Sequence, residues 1–254
     1  MKIGSRCRED APGIDIPWID LTYRREKLEN MGRISEIRGW RSSARFLCLL
    51  ISLSFAAYTS AAGNESELVA AAAAGDLSRV KSLLVSKVNV NARGDDGETA
   101  LIAASQNGYE EVVRLLLDTR ADANAKTSNG TTALMRSAQK GHSLIARELL
   151  ARGADVNARR ADGVTVLMQA AQEGRVEIVN MLLAAGADAN ARLDNGATAL
   201  MLTSQIGHKD VAQALLRWGA DVNAKAGNGA TALILASKYR HQDVVKLLKE
   251  AGAK

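Results

Sequence analysis

Apolar positions recur with a single long period through the C-terminal three quarters of the chain. Leu101, Leu134, Leu167, Leu200 and Leu233 stand 33 residues apart, and the leucine pairs 83/84, 116/117, 149/150, 182/183 and 215/216 keep the same step. Within a period the apolar residues fall at helical spacings, as Ile145 and Leu149 do at i and i+4. The pattern predicts two short amphipathic helices per unit, such as Leu134–Lys140 and about Ser143–Ala151. Gly141 and Gly153 end them, because glycine accepts the left-handed backbone that closes a helix.

Polar positions keep the period as well. Asp96-Gly97, Asn129-Gly130, Asp162-Gly163, Asn195-Gly196 and Asn228-Gly229 are dipeptides that favour the positive φ angles of a tight hairpin turn. Thr99, Thr132, Thr165, Thr198 and Thr231 follow them, placed to accept from the free N–H groups at a helix start. Asn91, Asn124, Asn157, Asn190 and Asn223 read as loop residues whose amides hold the return segment. Each unit is thus helix, helix and projecting finger, and is too small to bury its apolar face alone. An unbroken period of this length predicts an all-α solenoid of about six 33-residue helix–turn–helix units with β-hairpin fingers, over residues 63–254. The ends differ from the middle. The first unit begins near Ser66 without a finger of its own. In the sixth, Lys249 replaces the periodic second leucine and Arg240 the helix-ending glycine, as a polar terminal cap requires.

These residues resemble the ankyrin repeat family, whose motif runs G-x-T-P-L-H-x-A-A, G-H, V-x-x-L-L and G-A-D-V-N-A. The chain carries Gly130-Thr131-Thr132-Ala133-Leu134-Met135, Gly141-His142, Leu149-Leu150 and Gly153-Ala154-Asp155-Val156-Asn157-Ala158, and the resemblance covers residues 64–254. It departs in a regular way. The motif proline is Ala or Val at 100, 133, 166, 199 and 232, and the motif histidine is Met or Ile at 102, 135, 168, 201 and 234. Losing a helix-starting proline and a turn-bonding histidine is expected to weaken each unit slightly without altering its path. Taken with the leader described below, the chain is similar to exported ankyrin repeat proteins of bacterial type.

Ahead of the repeats, Phe46–Ala57 is a twelve-residue, mostly apolar run preceded by Arg33, Arg38, Arg41 and Arg45 and followed by the small residues 59–63. That is the pattern of a secretory signal peptide over residues 31–62, which predicts an exported, periplasmic or secreted product. The alternative is a retained anchor over residues 46–62, whose 17 residues fall short of the roughly 20 a spanning helix needs. Residues 1–30 are polar and without helical or strand period, so Met31 is the expected initiator and the residues before it an over-extended or disordered N-terminus. Cleavage near Ala62 removes both Cys7 and Cys48, leaving a product without thiols, suited to an oxidising compartment.

Composition then narrows the function. Of the formal net charge of +5, residues 1–62 contribute ten Lys and Arg against seven Asp and Glu, so the repeats are nearly neutral. With 4% aromatic residues, this argues against nucleic acid as partner. No catalytic or paired-cysteine metal motif is present, and neither cofactor nor metal is expected. Gly227–Ala232 fits a dinucleotide pattern but is in phase with the other finger turns. His142, His208 and His241 share one repeat position and are too spread to converge on an ion.

What remains is surface. The resemblance implies a non-enzymatic, monomeric scaffold that binds another protein through a concave groove and its finger tips. It places Gln106, Gln139, Gln172, Gln205 and Lys238 on that groove, with Asn107, Lys140, Glu173, Ile206 and Tyr239 next to them. The second series turns apolar in units five and six, where Leu193, Leu202 and Leu235 join it. Exposed apolar clusters with a polar surround mark interaction sites, so Ile206, Tyr239, Leu202 and Leu235 are the leading candidates, and Trp218 is a further anchor. Arg93, Lys126, Arg159, Arg192 and Lys225 form a row of cations on the finger stems. Asp122, Asp155, Asp188 and Asp221 are expected to neutralise it, making solvation a stronger reading than ligand binding.

Overall fold

The computed structural model describes residues 63–254. The N-terminal extension over residues 1–30, the leader over 31–62 and its cleavage near Ala62 fall outside the described residues.

Among the described residues twelve α-helices follow one another in six pairs. The first pair is α1, helical over 63–74, and α2 (Leu77–Val85). Next come α3 (Ala100–Asn107) with α4 (Glu110–Asp118), and α5 (Ala133–Lys140) with α6 (Ser143–Ala151). The last three pairs are α7 (Val166–Gln172) with α8 (Val176–Ala184), α9 (Ala199–Ile206) with α10 (Lys209–Arg217), and α11 (Ala232–Lys238) with α12 (Gln242–Glu250). From α3 onward, each first helix packs on the first helix of the next pair; from α2 onward, each second helix packs on the next second helix. The result is a solenoid with an inner and an outer row of helices.

The starts and stops have the causes the periodicity implied. Thr99, Thr132, Thr165, Thr198 and Thr231 each stand in extended backbone, and their Oγ1 accepts from the N–H three residues on, at 3.2–3.4 Å. A threonine cap of this kind contributes about 1 kcal/mol. The inner helices begin at equivalent positions although Ala or Val stands where proline was expected.

In the first pair Asp76 caps α2 by accepting from the Arg79 N–H at 2.9 Å, but the outer helices from α4 onward lack a side-chain cap. Their preceding residue instead reaches back one unit. His142, His208 and His241 bring Nε2 to 3.2, 3.0 and 3.0 Å from the carbonyls of Gln106, Gln172 and Gln205. Arg175 makes the same contact with the carbonyl of Gln139 at 3.5 Å. These side chains lie over the glycines that close the preceding inner helices, as does the Tyr109 ring over Gly75. The histidines therefore join neighbouring units.

The asparagines do the same across the return segments. Asn124 Oδ1 accepts from the Asp155 N–H at 2.7 Å while its Nδ2 donates to the Gly153 carbonyl at 3.0 Å. Asn157, Asn190 and Asn223 repeat both bonds one unit further each time. Both bonds of each amide go to the next unit, so the amides tie successive return segments together, while within each segment it is the Asp two residues earlier that accepts from the Asn N–H.

The fingers are slighter than expected. Among the described residues no strand forms; single bridges join Arg93 to Thr99, Arg159 to Thr165 and Arg192 to Thr198. The turn also differs from the expected pair of positive φ angles. Of the five Asx residues only Asp96 has positive φ; elsewhere the glycine alone is left-handed. In the third unit Gly130 N–H donates to the Thr127 carbonyl and Thr127 N–H to the Thr131 carbonyl, a three-residue loop closed by a left-handed glycine. The Asn129 side chain supports it by accepting from the Thr131 N–H at 3.1 Å. Neighbouring fingers bond to each other, as Ala161 N–H does to the Asn129 carbonyl at 2.9 Å.

The core is a continuous sheet of small and medium side chains between the two helix rows. Leu101, Leu134, Leu149, Leu167, Leu182 and Leu200 are all fully buried. Ser105, Thr203 and Ser204 are also fully buried, and their hydroxyls have no hydrogen-bond partner. Ala138 and Ala171 fill the equivalent of Ser204 in other units with no exposure, so the space fits alanine. Ser204→Ala is expected to raise the unfolding free energy by about 1 kcal/mol, read from urea titration of the helical signal. Unchanged or lower stability would mean that the hydroxyl is satisfied.

Candidate functional site

The inner helices and the fingers bound a groove, and its character changes along the solenoid. Near the second and third units, Asp95, Asp96, Glu98, Gln106, Thr127, Ser128, Asn129 and Arg136 line a recess of about 510 Å³. Arg136 is half-buried; its guanidinium donates to Gln139 Oε1 at 3.4 Å and its buried Nε has no partner. Between the fifth and sixth units a second recess, of about 320 Å³, lies between Leu202, Gln205 and Leu235 on the helices and Asn195, Gly227 and Asn228 on the fingers.

The predicted residues divide clearly. Leu202, Leu235 and Gln205 come together in the second recess, and Gln106 lines the first. Ile206 ends α9, one turn beyond Leu202, and Tyr239 follows α11, one turn beyond Leu235. Residues four apart share a helix face, so these four side chains form one apolar strip over two adjacent inner helices. Leu202 and Leu235 are half-buried against the core, whereas Ile206 and Tyr239 are each 44% exposed. The equivalent positions in the third and fourth units carry Lys140 and Glu173, both exposed. The backbone carbonyls of Gln106, Gln139, Gln172 and Gln205 are the ones contacted from the next unit. Lys238 Nζ sits 5.5 Å from the centroid of the Tyr239 ring.

Trp218 stands apart. It caps the outer helix α10, is 50% exposed and does not line the recess.

The stem cations are not held as expected. Asp122, Asp155, Asp188 and Asp221 turn to the N–H two residues along, at 2.9 Å in each case, and make no ion pair with the row. Arg93, Arg159 and Arg192 instead donate to the carbonyls of Lys126, Arg192 and Lys225 at 2.7, 3.1 and 2.9 Å. Each partner lies 33 residues on, so the guanidinium ties its stem to the next. Lys126 and Lys225 are exposed, and their ammonium groups have no ion pair among the described residues. A carboxylate at an adjacent repeat position is the counter-ion the fork matches best, but those carboxylates accept from backbone N–H groups, and one nitrogen of each guanidinium reaches the carbonyl one period away. In the fourth unit's finger, Arg160 pairs with Asp162 and holds its carboxyl below the usual range, chiefly through their hydrogen bond.

Periodicity missed two exposed apolar residues. Ile234 is 52% exposed, although its counterparts Ile102, Met135, Met168 and Met201 are buried. Among the described residues no helix packs beyond α11 and α12 to cover it. Leu144 is 53% exposed at the start of α6.

Among the described residues, no His, Cys, Asp or Glu cluster is arranged to hold a metal ion. None of their helices is long and apolar enough to cross a membrane. No curated protein matches the chain. The family model described as ankyrin repeats (3 copies) matches residues 68–160 and again 161–254. Ankyrin repeats are in general protein–protein interaction modules, typically without enzymatic activity. With both matches spanning the stacked helices and their fingers, the chain belongs to the ankyrin repeat family.

Proposed function

We propose that this chain is a non-enzymatic scaffold that binds a partner protein through the groove of its fifth and sixth units. The observation carrying the proposal is the exposure of Ile206 and Tyr239 beside Leu202 and Leu235, where the third and fourth units present Lys140 and Glu173. Stability gains nothing from an exposed isoleucine and tyrosine at helix ends, whereas a partner that covers them removes apolar surface from water. The scaffold is stiff because His, Asn and Arg side chains tie each unit to the next, so little conformational entropy is lost when the surface is covered. The Gln row and Lys140 and Glu173 supply a polar margin to the same groove. Arg93, Arg159 and Arg192 act within the scaffold and are not contacts for the partner.

The proposal extends to location: the leader over residues 31–62 directs export to a periplasmic or extracellular space, and the scaffold acts there as a monomer. The apolar run at 46–62 supports one other reading, a membrane-tethered or cytoplasmic adaptor whose leader is retained. N-terminal sequencing of the protein from fractionated cells separates the two: a start near Gly63 supports export, and an intact Phe46–Ala57 run supports the tether.

Partner binding itself is tested by capture on immobilised protein followed by titration of the captured partner. Ile206→Ala and Tyr239→Ala are each expected to weaken the affinity by about 1 kcal/mol or more. Arg93→Ala is expected to leave it unchanged. Equal affinity for wild type and both apolar variants overturns the assignment of the groove.

A further inference from the structure

The sixth unit departs from the others at three consecutive positions, and two of the departures are cations. Gln106, Gln139, Gln172 and Gln205 are followed in the row by Lys238. Gly108, Gly141, Gly174 and Gly207 are followed by Arg240, which keeps the left-handed backbone at φ 62°. Each of those glycines has a side chain of the next unit lying over it, whereas Arg240 is exposed. The steric need for glycine is absent there, but the conformational penalty on a side-chain-bearing residue is not. A left-handed arginine is thus tolerated at the rim of the apolar strip, next to Lys238 and Tyr239. Lys238, Arg240 and Lys225 are exposed, and none forms an ion pair among the described residues. The sixth finger, Gly227-Asn228-Gly229, brings no carboxylate to balance them. At the other end of the groove the recess carries Asp95, Asp96 and Glu98 against the single guanidinium of Arg136.

Resting on the reading of the groove as a protein-binding surface, we infer that its occupant is an extended partner segment bearing two apolar side chains followed by Asp or Glu. The apolar pair covers Leu202–Ile206 and Leu235–Tyr239, and the carboxylate meets Lys238 and Arg240. Adjacent helices lie about 8–10 Å apart. A segment in the extended polyproline-II conformation rises about 3.1 Å per residue with three residues per turn, so an apolar pair at i and i+3 meets both helices from one face. Asp95, Asp96 and Glu98 repel the same carboxylate at the far end, which fixes the end of the groove that an acidic segment occupies. Four aliphatic and aromatic side chains under the strip favour a polypeptide over a nucleic-acid strand, which stacks on aromatic rings and tracks cations.

The test uses the full chain and a phage-displayed library of random twelve-residue peptides. Enriched sequences are expected to carry two apolar residues three apart with Asp or Glu after them. The best synthetic peptide should then bind about tenfold more weakly to Lys238→Glu/Arg240→Glu, and several-fold more weakly to Lys238→Gln/Arg240→Gly. The second variant restores the residues of the other units and should melt no lower than wild type, which separates lost binding from lost folding. Apolar peptides without acidic residues, or peptides indifferent to the charge reversal yet lost in Ile206→Ala, overturn this inference and leave the groove intact. Peptides indifferent to both changes, or no enrichment at all, overturn the groove reading and this inference with it. Equal or tighter binding of a twelve-nucleotide oligo-dT, lost on the charge reversal, overturns the choice of a polypeptide.

Discussion

Leu149→Ala is expected to lower the unfolding free energy by about 3 kcal/mol, out of a total of the order of 5–15 kcal/mol. Leu149 is fully buried in the outer helix α6, which packs against α4 on one side and α8 on the other. Alanine there removes a buried isobutyl group and leaves a void between elements that ties on both sides keep from collapsing. Its helix also carries Leu144, which is 53% exposed, so Leu144→Ala is expected to change stability by less than about 0.5 kcal/mol. Urea titration of both variants, followed by circular dichroism, makes the comparison within one helix. In a stack where each unit touches only its neighbours, the loss at Leu149 also uncouples the units before it from those after. The unfolding curve of the variant should therefore broaden or show two steps. A variant that unfolds in one sharp step at the wild-type midpoint contradicts this description of the core.

Gly174→Ala is expected to cost about 2 kcal/mol, and Gly153→Ala about 1 kcal/mol. Both glycines are left-handed, at φ 68° and 82°, so any side chain there carries the penalty of that backbone. They differ in surroundings. A Cβ at 174 would come within 2.9 Å of the His208 ring, while nothing lies within 4 Å of one at 153. Moving the ring breaks its contact with the Gln172 carbonyl at 3.0 Å, a further loss of about 1 kcal/mol. The double variant Gly174→Ala/His208→Ala should therefore be more stable than the sum of the two single effects predicts. Additive effects would show that the ring and the glycine do not share one contact, and with it that the histidines do not join the units.

Much of this architecture could be read from the period of 33. Ser143–Ala151 coincides with α6, and Leu134–Lys140 falls one residue short of α5 at its start. The Thr, Gly and Leu positions act within their own unit, where short spacing carries the signal. What stayed hidden lies between units. The bonds from Arg93 to the Lys126 carbonyl and from Asn124 to the Asp155 N–H span 33 and 31 residues, and a strict repeat gives every such pairing the same spacing. Periodicity therefore could not tell an arginine that ties two stems from one neutralised by a nearby aspartate. Ile234 illustrates the same limit: it has the character of the buried Ile102, and only the lack of a covering helix among the described residues exposes it. The apolar strip was legible for the opposite reason, because Ile206 and Tyr239 break a polar series instead of continuing one.

The most direct measurement of the function is photo-cross-linking in cells, with a photoreactive residue placed in turn at positions 206, 239 and 147. Ile206 and Tyr239 lie on the inner strip, and Arg147 is exposed on the outer helix α6. A shared adduct of one partner protein from 206 and 239, with none from 147, is the predicted result. Adducts from 147 alone, or from no position, would contradict a docking surface on the inner face of the fifth and sixth units.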